Sequence, residues 1–466
     1  MKLFLPVSIL FVLNIAIRWI YYYPYPPLWD AATYVAMGKY LFSAGQVGFM
    51  ESFRPVLWPA LLGLSWKLGL NPILCGQIWG MLATVGNDVL LYFIGRHVYS
   101  NRVALFGAVL LTFSPTFLFW GQCGYPDLLV SFLGLLLVLC FLKNQYRLAG
   151  ILGGLAVFTK FTAVLLVVLI GISIVYQQRA KKNTRAIGQY SVGFFLVIAI
   201  FLAFYQMVLG DLGKSFFEAK VIYGQTPHIW FKEIGFCLKM LFRVEGFIFL
   251  AIPLSILGVW REKSYGRWLV IAIGIVSFLW VGKLPTYLDL PRYFIPALPF
   301  LYLLAADGVL LVARWLQQKN LRLLICILYF GVGVVTMHQF YLFLNARFPQ
   351  KELSPMQKYV SRYAEEIKGP VWISDPRSIV YADIKVDELM YYPVFTMEKV
   401  QQLRRRLPMA SIIFLDSRAL NCPLEKDPTC EQAKWQLVEE IKQNFQTEYW
   451  EESPDGVIVY GVFKRK

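Results

Sequence analysis

The chain has 466 residues, of which 58% are hydrophobic and only 16% are charged. Soluble globular domains carry about 25% charged residues, so this composition excludes an ordinary soluble protein. A formal net charge of +16 raises the question of nucleic-acid binding. The basic residues fall in short clusters between apolar runs and form no single stripe, so we expect membrane topology, not nucleic acid, to explain them.

Apolar runs of about 20 residues recur along the chain and predict about eleven transmembrane helices. The first run extends from Leu3 to about Ile20 and ends in three consecutive tyrosines. It has no small-residue cleavage site, so it is interpreted as an uncleaved helix with an aromatic belt, not as a signal peptide.

The connecting segments alternate in character and predict the orientation of the helices. Short basic connectors are cytoplasmic by the positive-inside rule, and they cover residues 96–102, 143–147, 179–185, 261–267 and 314–322. The opposite, outer connectors cover residues 21–71, 120–127, 159–160, 211–245 and 283–293. An odd number of spans from a cytoplasmic N-terminus places the C-terminal segment on the extracytoplasmic side. We therefore expect an integral protein of the cell membrane or inner membrane.

The composition changes after about Phe348, where charged residues become frequent. Short β-type runs at 371–374, 411–415 and 456–462 alternate with helix-like stretches. We therefore predict a transmembrane domain over residues 1–345 and a soluble α/β domain over residues 346–466. Cys422 and Cys430 lie in the second domain, and an oxidising compartment favours a disulfide between them.

The long first outer loop is too apolar to be a plain solvent-exposed loop. Residues 31–42 and 55–70 are typical of amphipathic helices lying along the membrane interface. Asp30 stands at or just before the first of them. Its carboxylate is explained either as an N-cap for the free amide hydrogens of the first turn, or as a functional group.

Other charges at predicted outer helix ends favour the functional interpretation. Asp127 occupies the second outer connector, Arg54 adds a cation to the first loop, and Lys160 and Arg292 lie at the outer ends of later helices. For each cation the alternative is a snorkelling anchor for lipid headgroups. We expect the charges to converge at one membrane surface, and we expect His228, in another outer loop, not to contact substrate.

In chain order these segments resemble the GT-C glycosyltransferases, polytopic enzymes that use polyprenyl-phosphate sugars, in the branch of protein O-mannosyltransferases and lipid A aminoarabinose transferases. Members open the first outer loop with an Asp and a nearby Tyr, continue with a basic residue and Pro, and carry an Asp in the second outer connector. The matching positions here are Asp30, Tyr34, Arg54, Pro55 and Asp127.

Two later segments extend the resemblance, which covers about residues 1–345. Residues 153–160 resemble the family's glycine-rich helix ending in Thr-Lys, and residues 292–299 resemble its proline segment containing Arg-Tyr. Many members have a second acid directly after the first Asp. This chain has Ala31 there, which leaves metal binding at that position open.

The resemblance implies an inverting transferase that moves a sugar from a polyprenyl-phosphate donor to a hydroxyl of a lipid, glycan or protein acceptor. Asp30 is the candidate general base for the acceptor hydroxyl. Asp127 is the second catalytic candidate, to orient the acceptor, tune the base or hold a divalent cation.

Cations aimed at the departing lipid phosphate would stabilise its growing charge. Arg54 and Arg292 are the first candidates and Lys160 the third. Tyr34, Glu51 and Tyr293 complete the predicted substrate-binding set.

Two other classes of protein compete with the transferase. A secondary transporter would place its charges near the bilayer midplane and show two related halves, whereas here the charges cluster at outer helix ends and no internal repeat is visible. A membrane scaffold with an outer recognition domain would leave Asp30, Arg54 and Asp127 without a purpose. The transferase is therefore the preferred hypothesis.

Overall fold

The computed structural model describes residues 4–179, 184–210, 230–262, 264–281, 290–345, 355–391, 396–420, 422, 428–452 and 458–466. The chain divides into two compact units. The first, here named the helical unit, comprises Met1–Pro24, Gly76–Ala203 and His228–Phe348. The second, named the sheet unit, comprises Tyr25–Cys75, Phe204–Pro227 and Pro349–Lys466. The first outer loop and the C-terminal segment thus belong to one unit.

Most of the described chain up to residue 345 is helical. In chain order the helices are α1 (Phe4–Ile20), α2 (Trp29–Phe42), α3 (Leu57–Lys67), α4 (Pro72–Val98), α5 (Asn101–Thr112), α6 (Pro115–Trp120), α7 (Asp127–Leu142), α8 (Tyr146–Thr159), α9 (Val164–Arg179), α10 (Arg185–Leu209), α11 (Trp230–Glu245), α12 (Ile252–Glu262), α13 (Tyr265–Val281), α14 (Leu298–Gln318) and α15 (Arg322–Asn345).

Many of these helices suit a bilayer. Among the described residues, five helical stretches are long and apolar enough to cross a membrane: Pro72–Val98, Phe161–Arg179, Arg185–Val208, Leu298–Gln318 and Arg322–Leu342. A bent helix pair adds a sixth if it is one span, and five shorter helices are also apolar. The chain is therefore an integral membrane protein, while the count of eleven spans and the orientation of its termini stay predictions.

The bent pair lies partly in a connector predicted from the sequence. Within the outer connector expected over residues 211–245, the structure describes α11, which ends at Glu245 and meets the next helical stretch at 116°. Gly246 makes the turn with φ 89°, a backbone conformation that favours glycine. The helix was missed because charged residues such as Lys239 and Arg243 lower its hydropathy below that of a span.

The described part of the C-terminal segment folds around a five-stranded mixed sheet in the order β2-β1-β3-β5-β4. Its elements are α16 (Pro355–Tyr363), β1 (Val371–Ile373), β2 (Glu388–Leu389), α17 (Met397–Arg406), β3 (Ile412–Leu415), α18 (Pro428–Asn444), β4 (Phe445–Glu452) and β5 (Ile458–Arg465). β1 pairs in parallel with β2 and β3, whereas β5 is antiparallel to β3 and β4. The small sheet expected in the C-terminal segment is thus present, while the domain boundary at residues 345–346 stays a prediction.

The central strands β1 and β3 are buried on both faces, as their unbroken apolar runs require. Trp372 and Ile413 pack on one face against α18 residues such as Leu437. Ile373 and Phe414 pack on the other face. A disulfide joins Cys422 to Cys430 near the start of α18, which is the pair expected from the sequence.

Helices α2 and α3 of the first outer loop pack against each other through two glycines. A Cβ atom at Gly63 would lie 2.2 Å from the backbone oxygen of Gly38, and one at Gly38 would lie 2.5 Å from that of Pro59. All α2 residues from Ala31 to Lys39 are buried. The expectation of an amphipathic α2 was therefore wrong, because protein covers this helix on every side.

The close contact between α2 and α3 predicts that Gly63→Ala destabilises the protein by about 1–3 kcal/mol, since overpacking forces backbone shifts. Gly188→Ala is the matched control, because nothing lies within 4 Å of a Cβ atom built at this helical position. Thermal unfolding of both full-length variants in detergent measures the difference. Equal melting temperatures for the two variants would contradict the tight α2–α3 contact.

Candidate functional site

Asp30 lies in the first turn of α2 and does not occupy the capping position. Leu28 is the N-cap residue, so the interpretation of Asp30 as an N-cap was wrong. The Asp30 carboxylate accepts a hydrogen bond of 2.9 Å from Nη2 of Arg54. Its place near the N-terminus of α2 also favours its negative charge through the helix dipole.

Arg54 is held on several sides. Its Nε atom donates to the Glu51 carboxylate, its guanidinium carbon lies 5.3 Å from the centre of the Tyr34 ring, and Tyr205 donates a hydrogen bond of 2.7 Å to its backbone oxygen. Burial disfavours the charge of Arg54, but Asp30 and then Glu51 outweigh burial and raise its pKa well above the usual value. The guanidinium therefore stays charged beside the Asp30 carboxylate.

Glu51 connects this arrangement to the C-terminal segment. Its side chain is 0% exposed, one oxygen faces Arg54, and the other accepts a hydrogen bond of 2.8 Å from the Tyr391 hydroxyl. Burial, together with the charge of Glu51, raises the pKa of Tyr391 well above its usual value. Tyr391 is therefore a neutral donor to a buried carboxylate. We name Asp30, Glu51, Arg54 and Tyr391 the Asp30 cluster.

A second group of predicted residues lies in the helical unit. Asp127 is the first residue of α7, and Lys160 follows α8 in extended conformation. The Lys160 ammonium bonds the Asp127 carboxylate, whose side chain is only 1% exposed. Lys160 also lies 4.6 Å from the centre of the Tyr293 ring.

Arg292 stands among aromatic rings beside this ion pair. Its guanidinium carbon lies 4.7 Å from the ring centre of Tyr125, 4.8 Å from that of Tyr293 and 5.9 Å from that of Trp120. Its Nη2 donates a hydrogen bond of 2.9 Å to the Tyr293 hydroxyl. Ring faces attract a cation, so these rings help to hold the guanidinium in place. We name Asp127, Lys160, Arg292 and Tyr293 the Asp127 cluster.

Lys160 and Tyr293 also line a pocket in the helical unit. Most of the other lining residues are apolar, namely Val130, Ala163, Leu165, Leu166, Trp280, Val281 and Pro296. The hydroxyl-bearing residues Thr162 and Ser277 complete the lining. The pocket thus combines an ammonium and a phenol with hydrocarbon walls. Such a pocket suits a molecule with one anionic end and a long apolar part.

The residues at Asp127 do not fit a cation site. Across the part of the chain that the structure describes, no group of three or more His, Cys, Asp or Glu side chains could hold a metal ion. The Asp127 carboxylate is instead paired with the Lys160 ammonium. We derive no reaction step through a metal.

The predicted site residues therefore form two clusters, one in each unit. That both act on one substrate pair stays a prediction. Sequence reasoning missed Tyr391, Trp120 and Tyr125, because only the fold brings these rings to the charges. His228 lies outside the described residues.

Comparisons with known proteins are consistent with this description. Residues 54–205 match the sequence model of the dolichyl-phosphate-mannose-protein mannosyltransferase family. A search of curated proteins found no significant match by sequence.

Similar solved structures extend over nearly the whole chain. ArnT from Cupriavidus metallidurans bound to undecaprenyl phosphate has a TM-score of 0.66 at 12% identity, with 97% of each chain covered. The oligosaccharyltransferase AglB from Archaeoglobus fulgidus, in complex with an inhibitory peptide and a dolichol-phosphate, has a TM-score of 0.59 at 11% identity, over 98% of this chain and 73% of AglB. The mycobacterial arabinofuranosyltransferase AftD has a TM-score of 0.51 at 11% identity, over 98% of this chain and 41% of AftD.

These identities are too low to carry an activity from one protein to another, but the agreement in fold extends from the first helix to the C-terminal sheet. The resemblance expected from the sequence is thereby confirmed at the level of the fold: this chain has the fold of the GT-C superfamily of membrane glycosyltransferases.

Proposed function

We propose that this protein transfers a sugar from a polyprenyl-phosphate-linked donor to a hydroxyl of a lipid, glycan or protein acceptor on the extracytoplasmic face of the membrane. The observation that carries the proposal is the pocket where Lys160 and Tyr293 stand among apolar walls. A polyprenyl phosphate has an anionic head and a long hydrocarbon tail, which match these two kinds of lining. The undecaprenyl phosphate bound by ArnT supports the same donor class.

In this proposal the Asp127 cluster binds the phosphate of the donor. Negative charge grows on that phosphate as the bond to the sugar breaks, so cations already in place lower the barrier. Lys160 and Arg292 supply the charge, and the Tyr293 hydroxyl, which accepts from Arg292, orients the guanidinium. Asp127 holds the Lys160 ammonium, a positioning role.

Asp30 serves as the general base. The acceptor oxygen forms a bond to the anomeric carbon of the sugar while the bond from that carbon to the phosphate oxygen breaks. The phosphate leaves with the electron pair, and the acceptor proton passes to the Asp30 carboxylate. A single displacement of this kind inverts the configuration at the anomeric carbon.

The other residues of the first outer loop hold the base in place. Sequence reasoning assigned Arg54 to the donor phosphate and Glu51 to substrate binding. Because the Arg54 guanidinium lies between Asp30 and Glu51, we assign Arg54 and Glu51 to orienting the base. Tyr34, whose ring lies against Arg54, supports the guanidinium.

The base is tested with Asp30→Asn, which keeps the size of the side chain but removes its basicity. We expect kcat to fall about 10²–10⁴-fold, the usual contribution of a general base, while binding of the donor changes little. The measurement is sugar transfer or release by the purified protein in nanodiscs, with a panel of polyprenyl-phosphate sugars.

Glu439→Gln is the control for loss of a carboxylate, since Glu439 is 58% exposed and lies on α18. If the folded wild type turns over no donor of the panel, the proposed function fails. If the wild type is active and Asp30→Asn is equally active, the assignment of the base fails.

The pocket is tested by filling it. Ser277→Phe adds a ring at a residue that lines the pocket, whereas Ile275→Phe adds one at a residue of the same helix that is 36% exposed. We expect the first variant to weaken binding of undecaprenyl phosphate at least about tenfold, since the lost space cannot hold the lipid, and the control to leave it unchanged. Equal affinities, measured by titration in detergent, would place the lipid elsewhere.

A further inference from the structure

We infer that Tyr391, from the C-terminal segment, is a positioning residue for the Asp30 base and acts through Glu51 and Arg54. This inference rests on the proposed function. It adds a positioning residue that lies outside residues 1–345, the region of family resemblance. It makes the C-terminal segment a part of the catalytic apparatus.

The contacts form one continuous chain within the sheet unit. The Tyr391 hydroxyl donates to Glu51 Oε1 at 2.8 Å, Glu51 Oε2 accepts from Arg54 Nε, and Arg54 Nη2 donates to Asp30 Oδ1 at 2.9 Å. Each link joins a different atom of the next side chain. The Tyr391 hydroxyl is therefore connected to Asp30 through Glu51 and Arg54.

A second contact holds the same region of α2. The ring of Trp29, the residue before Asp30, lies edge-on to the Tyr391 ring with centres 4.9 Å apart. The guanidinium carbon of Arg377, also from the C-terminal segment, lies 5.9 Å from the centre of the Trp29 ring. Tyr391 thus contacts both Trp29, the residue before the base, and Glu51, the carboxylate that pairs with Arg54.

The backbone that carries Tyr391 is itself tied to the first outer loop. Lys39, on α2, donates to the backbone oxygens of Val380 at 3.2 Å and Ala382 at 3.0 Å, and pairs with Asp383 at 2.9 Å. The Gly48 backbone also accepts from Val386 at 3.0 Å. These bonds fix the place from which the Tyr391 hydroxyl reaches Glu51.

The hydroxyl matters because Glu51 is fully buried. A buried carboxylate oxygen that loses its donor pays a desolvation penalty, so the side chain turns toward its remaining partner. That partner is Arg54, which holds Asp30. Small displacements of a catalytic group reduce the rate strongly, by up to about 10²-fold for 1 Å.

The test is a double-mutant cycle on sugar transfer by the full-length protein, using the donor turned over in the panel above. Tyr391→Phe removes only the hydroxyl, and Glu51→Gln removes the charge that this hydroxyl faces. We expect Tyr391→Phe to lower kcat about tenfold in the wild-type background and less than about twofold in the Glu51→Gln background, because linked residues are not additive. Undecaprenyl phosphate binding should stay unchanged in both.

Tyr381→Phe is the matched control, since Tyr381 lies in the same segment and is 37% exposed. A general structural effect of Tyr391→Phe would lower kcat equally in both backgrounds, and that result would overturn the inference. Activity of Tyr391→Phe equal to that of Tyr381→Phe would also overturn it, while leaving the proposed function intact. A wild type that turns over no donor would remove the proposed function and this inference together.

Discussion

A buried charge needs a partner, and the candidate site depends on this constraint. Isolated charges in an apolar protein cost several kcal/mol, so each one must be paired and hydrogen-bonded. Asp127 is paired with Lys160, and Asp30 shares Arg54 with Glu51. The pairs compensate buried charges that would otherwise be costly, and they hold the carboxylates and cations in defined positions, as a base and a phosphate site require.

The two clusters differ in the charged groups that they bring together. In the Asp30 cluster, two carboxylates lie against one guanidinium, an arrangement that suits a base. In the Asp127 cluster, the Lys160 ammonium pairs with one carboxylate and Arg292 lies among aromatic rings, an arrangement that suits a phosphate. In the proposed transfer the acceptor loses a proton and the donor phosphate gains negative charge, and the two arrangements fit those two roles.

Much of the site was predictable from the sequence because charges are rare and costly in an apolar chain. Asp30, Arg54, Asp127, Lys160 and Arg292 were singled out for that reason, and the described structure gives each of them charged or aromatic partners. The pairings themselves were not predictable, since Tyr391 lies 340 residues from Glu51. The amphipathic assignment of α2 failed because a local pattern cannot show that protein covers a helix on every side. Strand β4 was not predicted because it lies at the edge of the sheet and contains several glutamates, which are uncommon in strands.

The proposed reaction is a single direct displacement at the anomeric carbon, with Asp30 taking the acceptor proton. The most direct test is the stereochemistry of the first product, measured by NMR of the new glycosidic linkage before any spontaneous anomerisation. We expect the product to have the opposite anomeric configuration from the polyprenyl-phosphate donor, because a single displacement inverts the anomeric carbon. A product with the configuration of the donor would require a covalent sugar intermediate or another mechanism, and would contradict the role given to Asp30.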